Sequence, residues 1–267
     1  MNQQSKVAVI GAGVMGEALI AALISYGVKP EFITISEKRD ERAAELIAKY
    51  SIKAAPLAAN VSSADAVLLV VKPQDMGSVL EEIKGAINPA SVVITFAAGK
   101  TISFISNGLG TGNPVVRVMP NTPTLVGAGM AAASMGAGVT DAQKGFVLGF
   151  LGATGKVIEV AEELQDAVTA TSGSGPAYFF AFVEAMVTGA KALGLNDADA
   201  TTLTVQTIVG AAKLLDESGK SATTLRENVT SPNGTTAAAL ASFGSSDLNS
   251  MVAKAMKAAR DRSQELA

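Results

Sequence analysis

A glycine-rich loop directly after a short apolar segment is the feature that most constrains the fold of this chain. The segment Val7–Ile10 is fully apolar, as is typical of a strand buried on both faces of a parallel sheet. Residues 11–16 then read G-A-G-V-M-G, and apolar residues at helical spacing continue to Tyr26. This strand, loop and helix unit predicts a site where a helix N-terminus receives the pyrophosphate of a dinucleotide.

Each glycine of the loop has its own expected role. Gly11 permits the tight turn, Gly13 lets the pyrophosphate approach the backbone, and Gly16 allows the helix to pack against the strand. The alternative is an ordinary glycine-rich turn of an α/β protein, but the position between a strand and a helix favours the dinucleotide. The residues expected to contact the cofactor here are Gly11, Ala12, Gly13, Val14, Met15 and Gly16.

Strand and helix patterns alternate through the first 161 residues. Alternation of this kind builds successive βαβ units and an open parallel sheet. We therefore predict an α/β fold whose N-terminal domain, residues 1–161, is a Rossmann-type, doubly wound parallel sheet. The predicted strands cover residues 7–10, 32–35, 66–71, 92–96, 115–119 and 157–160, and the predicted helices cover residues 17–26, 41–50, 74–87 and 141–152.

The pattern changes near residue 162, after which no further strand is expected. Gly194 and Gly219 stand where left-handed residues end two of the helices. The shift from alternating to all-helical patterns predicts a second domain, all-helical, over residues 162–267. Its predicted helices cover residues 177–193, 198–217 and 248–267.

Composition limits the chemistry that these domains can perform. The 267 residues include no Cys, His or Trp, which excludes a Ser-His-Asp triad, a cysteine nucleophile, a zinc cluster and a disulfide framework. A net charge of −3 provides no basic surplus for nucleic acid. We expect no metal, no nucleic-acid partner, no membrane contact and a cytoplasmic location, since neither a targeting sequence nor a spanning helix stands out.

The end of the second predicted strand bears on which dinucleotide is used. Glu37 is the type of residue that accepts a hydrogen bond from the ribose 2′-hydroxyl of NAD. Ser36 with Lys38 or Arg39 suits the 2′-phosphate of NADP instead, although two basic residues here also fit a solvated charge run. We favour NADP (NADPH), with NAD (NADH) possible, on the condition that Glu37 points away from the phosphate.

Two polar segments of the second half are candidate substrate sites. Residues 172–178 read S-G-S-G-P-A-Y, and close helix packing through the glycines explains them without a ligand. Residues 230–236 read T-S-P-N-G-T-T and precede a helix that begins near Ala237. Backbone N–H groups and hydroxyls at such a helix start suit a small anion such as a carboxylate. A threonine there also serves as an ordinary N-cap, and spacing alone does not separate the two interpretations.

These segments, with three from the first half, resemble the Δ1-pyrroline-5-carboxylate reductase family. The resemblance covers essentially the whole chain. Two departures are Asn233, where the family often has glycine and where a left-handed conformation is therefore expected, and Lys100, where the family often has Ile. The matching residues are 71–74, 97–99, 117–123, 172–178, 206–207, 210–211, 225–226 and 229–236.

The resemblance implies an organisation and a set of site residues. The second domain is an all-helical C-terminal dimerisation domain that interlocks with a second copy in a homodimer, and some members build larger rings of dimers. Beyond the glycine loop, the expected dinucleotide contacts are Ser36, Lys38, Arg39, Asn60, Val71, Lys72, Pro73, Ala97, Ala98, Gly99 and Asn121. The expected substrate contacts are Glu162, Asn228, Ser231, Gly234, Thr235 and Thr236, with Thr236 as the catalytic residue.

The implied reaction is hydride transfer from NAD(P)H to the C=N carbon of pyrroline-5-carboxylate, giving L-proline in the last step of proline biosynthesis. The protonated C=N group is already an electrophile, so the chemistry tolerates the absence of His. Positioning contributes ~7–11 kcal/mol in favourable cases, against ~3–5 kcal/mol for acid–base catalysis. We hypothesise that residues 232–236 grip the carboxylate, while the Thr236 hydroxyl hydrogen-bonds to the ring nitrogen or relays a proton to it through water.

Two rival functions stay open. A related oxidoreductase acting on a β-hydroxyacid usually carries a Lys on the first helix of its second domain, and residues 172–184 contain none. A dinucleotide-binding regulator without catalysis would be favoured by a degraded turn at residues 230–236, and the turn is intact. Tyr178 is a candidate general acid. Packing of its ring among apolar side chains is the favoured interpretation, because aromatic residues surround it in the sequence.

Overall fold

The computed structural model describes residues 1–266 and contains one eight-stranded sheet. Its strands are β1 (Val7–Ile10), β2 (Ile33–Ser36), β3 (Lys53–Ala54), β4 (Ala66–Leu69), β5 (Val92–Thr95), β6 (Val115–Met119), β7 (Gly129–Met135) and β8 (Gly155–Glu159). They lie in the order β3-β2-β1-β4-β5-β6-β7-β8, and all pairs from β3 to β6 are parallel. The doubly wound parallel sheet predicted from the sequence is confirmed.

Helices connect the strands and then make up the C-terminal part of the chain. They are α1 (Val14–Tyr26), α2 (Asp40–Tyr50), α3 (Leu57–Ser62), α4 (Met76–Ile83), α5 (Ile102–Leu109), α6 (Asp141–Gly152), α7 (Gln165–Val168), α8 (Gly175–Ala192), α9 (Asp197–Glu217), α10 (Ala222–Asn228), α11 (Thr235–Ser245) and α12 (Leu248–Glu265). Short 3-10 turns cover Pro30–Phe32, Pro73–Asp75, Thr122–Val126 and Glu162–Leu164, and the π-helical segment Thr169–Gly173 joins α7 to α8.

Alternate side chains of β1 enter two different cores, as the two-residue period of a strand requires. Val7 and Val9 pack with apolar residues of α1 and α6 on one face of the sheet. Ala8 and Ile10 pack with residues of α3, α4 and α5 on the other face. Helices therefore cover both faces, which leaves the edge where the parallel strands end as the place for a ligand.

The sheet contains a long strand, β7, that the sequence did not reveal. Strand β7 is antiparallel to β6 and parallel to β8, so the sheet is mixed at this side. Its residues read G-M-A-A-A-S-M, and alanine is depleted in strands, which explains why no strand was expected here. The short elements β3, α3, α5 and α10 were also missed, because two to eight residues give too little periodicity to detect.

The helices after residue 162 agree with their predicted positions. Gly194 has φ +103° and Gly219 has φ +67°, the left-handed conformation expected where a helix stops. The last residue of the predicted helix 248–267 lies outside the described residues. Within residues 1–266, no helix combines the length and the apolar character needed to cross a membrane.

The described chain divides into two compact units. Unit 1 consists of residues 1–176 together with 259–266, and unit 2 consists of residues 177–258. Unit 1 thus includes the whole sheet and the end of α12, whereas unit 2 is entirely helical. The boundary between the two domains inferred from the sequence, residues 1–161 and 162–267, stays a prediction.

Candidate functional site

The glycine loop lies at the carboxyl end of β1 and is shaped by its three glycines. Gly11 has φ +87°, and its N–H donates to the carbonyl of Ser36 at 2.9 Å. A Cβ on Gly16 would overlap the carbonyl oxygen of Gly11, so the start of α1 requires a glycine there. A Cβ on Gly13 would meet nothing within 4 Å, which leaves open space beside the backbone at the position expected to receive a pyrophosphate.

Strand order brings two further segments to this loop. The order of strands reverses direction between β1 and β4, and ligands of open α/β sheets bind at such a switch point. Residues 71–73 follow β4 and residues 97–99 follow β5, at the same edge as Gly11. A Cβ on Gly11 would lie 3.1 Å from Cγ1 of Val71, so the glycine loop and the segment of residues 71–73 are in close contact. The predicted dinucleotide residues of all three segments therefore lie along one edge of unit 1.

Glu37 faces the glycine loop. Its Oε2 accepts the N–H of Ala12 at 2.9 Å, and its Oε1 accepts from Nε of Arg39 at 2.9 Å and from the N–H of Arg39 at 3.1 Å. Burial alone would raise the pKa of Glu37, but the hydrogen bonds from Arg39 and Ala12 outweigh burial and lower it below its ordinary value. Glu37 is thus a carboxylate held beside the loop, with its charge countered by Arg39.

The neighbouring polar residues at the end of β2 are tied to the backbone. The Ser36 hydroxyl donates to the carbonyl of Ala55 at 2.9 Å. The Asn60 amide donates to Oγ of Ser36 at 3.0 Å and to the carbonyl of Thr34 at 3.1 Å, and Asn60 is buried. These contacts fix the shape of the edge on which an adenosine ribose would lie.

A cluster of charged and polar side chains braces α2 against α1 and the glycine loop. Nε of Arg42 donates to the carbonyl of Ala12 at 3.1 Å, and the Arg42 guanidinium also pairs with Glu17. Glu17 accepts further hydrogen bonds from Lys49 at 2.8 Å and Tyr50 at 3.0 Å. The hydrogen bonds from Lys49, Arg42 and Tyr50 together outweigh burial and lower the pKa of Glu17 to about 2.

Glu162 and Asn121 have partners within unit 1. Oε1 of Glu162 accepts the N–H of Ile102 at 2.6 Å and lies 3.5 Å from the guanidinium of Arg117. Asn121 is buried at the end of β6, where its Oδ1 accepts the N–H of Met130 at 2.8 Å and its Nδ2 donates to the carbonyl of Ser172 at 3.1 Å. Asn121 therefore joins the end of β6 to β7 and to the π-helical segment.

The remaining predicted substrate residues lie in unit 2, with Asn228 at the end of α10 and the others in the turn that leads into α11 and at the start of that helix. The N–H of Gly234 donates to the carbonyl of Ser231 at 3.1 Å, and Asn233 has φ +56°, as the sequence predicted. Pro232 followed by a left-handed residue is the pattern of a type II turn. A Cβ on Gly234 would overlap Oγ of Ser231, so only glycine fits the fourth position.

This turn leads into a helix start that offers free donors. Gly234 is the N-cap of α11 and has no side chain to satisfy the first N–H groups. The first intrahelical bond runs from Ala238 to Gly234, at 3.1 Å, so the N–H groups of Thr235 and Thr236 have no carbonyl to reach within the helix. Thr235 is exposed and Thr236 is half-buried, while Asn228 is exposed at the end of α10. The arrangement suits a small anion.

Sequence reasoning missed two residues that the structure places at these sites. Arg42 looks like any solvated arginine of an amphipathic helix, and nothing in the sequence indicates its contact with Ala12. Arg117 did give a signal, because a charged residue inside the apolar strand V-V-R-V-M requires a buried partner.

Comparisons with known proteins agree across the chain. A family described as pyrroline-5-carboxylate reductase dimerisation matches residues 162–266, and one described as NADP oxidoreductase, coenzyme F420-dependent, matches residues 6–99. A pyrroline-5-carboxylate reductase from Corynebacterium melassecola is 42% identical over 97% of this chain and 98% of its own. One from Pseudomonas aeruginosa is 40% identical over 98% and 97%.

The chain belongs to the pyrroline-5-carboxylate reductase family.

Solved members of the family share the fold throughout. A pyrroline-5-carboxylate reductase from Coxiella burnetii superposes with a TM-score of 0.91 at 35% identity, covering 99% of each chain. A pyrroline carboxylate reductase from Plasmodium falciparum, solved with NADP bound, gives 0.88 at 28% identity over 100% of this chain and 99% of its own. As a member of this family, the chain is an oxidoreductase of proline biosynthesis whose C-terminal helices are of the dimerisation type.

Proposed function

We propose that the chain reduces the C=N bond of 1-pyrroline-5-carboxylate to give L-proline, with NADPH as the preferred reductant. The observation that carries the proposal is the similarity of both halves of the chain to reductases of this activity, over nearly their full length. The left-handed Gly11 and the open space at Gly13 support a dinucleotide at the carboxyl ends of the strands. When bound, the reduced nicotinamide supplies the hydride for the C=N carbon.

The preference for NADPH depends on the charges at the end of β2. Glu37 turns towards the glycine loop, where its carboxylate accepts the N–H of Ala12, and Arg39 neutralises its charge. Lys38 is exposed beside this pair and can meet a 2′-phosphate directly. We therefore propose that Lys38 and Arg39 hold the 2′-phosphate, with Nε of Arg39 remaining on Glu37 while its terminal guanidinium N–H groups meet the phosphate.

The substrate would bind through its carboxylate at the start of α11. The N–H groups of Thr235 and Thr236 and the positive end of the helix dipole suit this charge. The Thr236 hydroxyl would hydrogen-bond to the ring nitrogen or pass a proton to it through water. Because the iminium group is already electrophilic, these residues need only hold the C=N carbon in place, and positioning of this kind contributes ~7–11 kcal/mol in favourable cases.

We also propose a homodimer in which the helical domains, residues 162–267, interlock, with a larger ring of dimers as a further assembly. Large apolar side chains of α8 and α9 support a partner, since Phe179, Phe180 and Leu203 are 62%, 64% and 56% exposed in the single chain. The cytoplasmic location stays a prediction from the sequence.

The experiment that tests the proposal is steady-state oxidation of NADPH and of NADH with pyrroline-5-carboxylate. The expected result is turnover with both, and a higher kcat/KM with NADPH. The variant Glu37→Gln should raise the NADPH to NADH ratio, and Arg39→Gln should lower it, each by about 3-fold or more. A β-hydroxyacid with NADP is the comparison substrate, and turnover of that substrate alone would overturn the proposed reaction. A higher kcat/KM with NADH would overturn only the cofactor preference.

A further inference from the structure

Arg117 carries a charge into the interior of unit 1. It lies in the middle of β6, and its side chain is only 6% exposed. The guanidinium lies 3.5 Å from Oε1 of Glu162 and 3.3 Å from Oδ1 of Asp166. A buried charge persists in a folded protein only when it is paired, so the two carboxylates are its counter-charges.

Each of the two carboxylates also holds another part of the chain. Oε1 of Glu162 accepts the N–H of Ile102, the first residue of α5, at 2.6 Å. Oδ1 of Asp166 accepts the hydroxyl of Ser263, near the end of α12, at 2.7 Å. Ser263 is 2% exposed, and the Asp166 side chain is 22% exposed, so this hydrogen bond is partly buried. Arg117 therefore lies at the centre of a cluster that fixes the start of one helix and the end of another.

The start of α5 and the end of α12, which the cluster holds, both lie next to the segment of residues 97–99. Gly99 has φ +75°, and a Cβ on it would lie only 2.8 Å from the carbonyl oxygen of Ser263 and 2.8 Å from Cβ of Leu266. The end of α12 is thus packed directly on Gly99. Ile102 follows three positions later and is held by Glu162. The segment has little freedom to move while the cluster is intact.

We infer that Arg117 is a positioning residue for the dinucleotide, because its pairing with Glu162 and Asp166 fixes the segment of residues 97–99 against which the nicotinamide half would lie. This inference rests on the proposed function and on the expectation from the resemblance that Ala97, Ala98 and Gly99 contact the dinucleotide. Asp166 and Ser263 act with Arg117 on the same segment. None of the three needs to touch the cofactor or the substrate.

The test uses four single variants of the full-length chain, the double variant Ser263→Ala/Asp166→Asn and one matched control. Ser263→Ala removes one hydrogen bond to Asp166, and Asp166→Asn removes the charge that pairs with Arg117. Arg117→Lys keeps the positive charge, and Arg117→Met removes it. The control is Arg262→Gln, because Arg262 is next to Ser263 but is 68% exposed and pairs with Glu265 at the surface. The readouts are Kd for NADPH from its own fluorescence, KM for NADPH, KM for pyrroline-5-carboxylate, kcat and Tm.

A positioning role predicts a specific split among these readouts. Kd and KM for NADPH should rise about 5-fold in Ser263→Ala and in Asp166→Asn, with KM for the imino acid changed by less than about 2-fold. The effects of Ser263→Ala and Asp166→Asn on NADPH binding should be less than additive in the double variant, because the two residues contact each other. Arg117→Lys should retain part of the affinity that Arg117→Met loses, and Arg262→Gln should match the wild type.

Unchanged Kd and KM for NADPH in Ser263→Ala and Asp166→Asn would overturn the inference, whatever happens to Tm, because the cluster would then serve stability alone. If Arg117→Met does not fold, the Kd for NADPH of the other three single variants still tests the inference. These variants are Ser263→Ala, Asp166→Asn and Arg117→Lys. A wild-type chain that binds NADPH but reduces no imino acid would overturn the proposed reaction, while Kd would still test the inference. A wild-type chain that binds neither NADPH nor NADH would overturn both.

Discussion

Units 1 and 2 bury their apolar side chains to very different extents. In unit 1 the sheet separates two cores of fully buried residues, which include Phe146 and Phe150 on one face and Leu80 on the other. Among the described residues of unit 2, Ala200 is the one apolar residue that is fully buried, while Phe179 and Phe180 are more than half exposed. Unit 1 has a core of its own, whereas the helices of unit 2 require a partner to cover them.

The units also differ in how they use charge. In unit 1, Arg117 and Glu17 are largely buried, and each forms ion pairs, Glu17 with Arg42 and Arg117 with Glu162 and Asp166. In unit 2, both side chains of the ion pair between Lys213 and Glu217 are exposed. Surface pairs of that kind contribute little to stability. The comparison indicates that unit 1 is organised by internal packing and buried pairs, and unit 2 by association.

The largest expected effect comes from placing a charge on the exposed apolar face of unit 2. Phe180→Asp should weaken self-association by about 1,000-fold or more and lower Tm, because the carboxylate would be buried in the proposed dimer. Sedimentation velocity and thermal melting over a range of protein concentrations measure both effects. The control is Val126→Asp in unit 1, where Val126 is 81% exposed, and it should change neither. Equal effects of the two substitutions would remove the distinction between the units.

The next effect concerns the glycine loop of unit 1. Gly13→Ala should weaken NADPH binding by about 100-fold, since its Cβ would occupy the open space beside the loop, but it should leave Tm within about 1 °C. Gly16→Ala should lower Tm as well, because a Cβ there overlaps Gly11. Gly145→Ala, at an exposed position within α6, is the control for a general glycine effect. Unimpaired binding by the Gly13 variant would place the pyrophosphate elsewhere.

A third prediction concerns acid stability. The pKa of Glu17 is lowered from 4.5 to about 2, so its contribution to stability is complete above pH 4.5 and is lost as the pH falls towards 2. Glu17→Gln should destabilise the chain at pH 7 by ~2 kcal/mol, on the order of one charged hydrogen bond, and much less at pH 2. Urea unfolding at both pH values measures this. Glu217→Gln, in the exposed pair of unit 2, should change neither value, and an equal loss in that variant would contradict the contrast between the units.

The smallest predicted effect tests the start of α11. Thr236→Ala should lower kcat/KM for pyrroline-5-carboxylate by ~10-fold, as expected for a lost hydrogen bond to a charged group. KM for NADPH should stay unchanged, because Thr236 belongs to unit 2 and the glycine loop to unit 1. Thr223→Ala, on the exposed surface of α10, is the matched control. Wild-type kinetics in the Thr236 variant would remove any role for this hydroxyl.

Local features of these sites were predictable from the sequence. The tight turn at Gly11 was expected from the spacing of the glycines, and the left-handed conformation of Asn233 was expected from the resemblance, because the family often has glycine there. The orientation of Glu37 was not predictable, since a carboxylate at the end of a strand can turn towards the loop or towards solvent. The N–H of Ala12 and the guanidinium of Arg39 determine that it turns inward.

Contacts between residues far apart in the sequence were not predictable from sequence patterns. Glu162 was assigned to the site by resemblance, but its hydrogen bond to Ile102 joins residues 60 positions apart. The position of Arg117 within an apolar strand indicated a buried partner but not which residue that partner is. Nothing in the sequence indicated the contact that Arg42 makes with Ala12. Strand β7 escaped detection because its alanines favour a strand only when β6 and β8 lie on either side.

The sequence by itself determined the alternating sheet, the glycine loop, the helical second half and the exclusion of His and Cys chemistry. These features depend on backbone torsions, on the period of apolar residues and on composition, all of which are local. Only the tertiary structure decided that Glu37 lies on the loop, that Arg42 braces it, and that Arg117 joins α5 to the end of α12. Those contacts depend on which strands and helices become neighbours, and burial makes each pairing obligatory once they do.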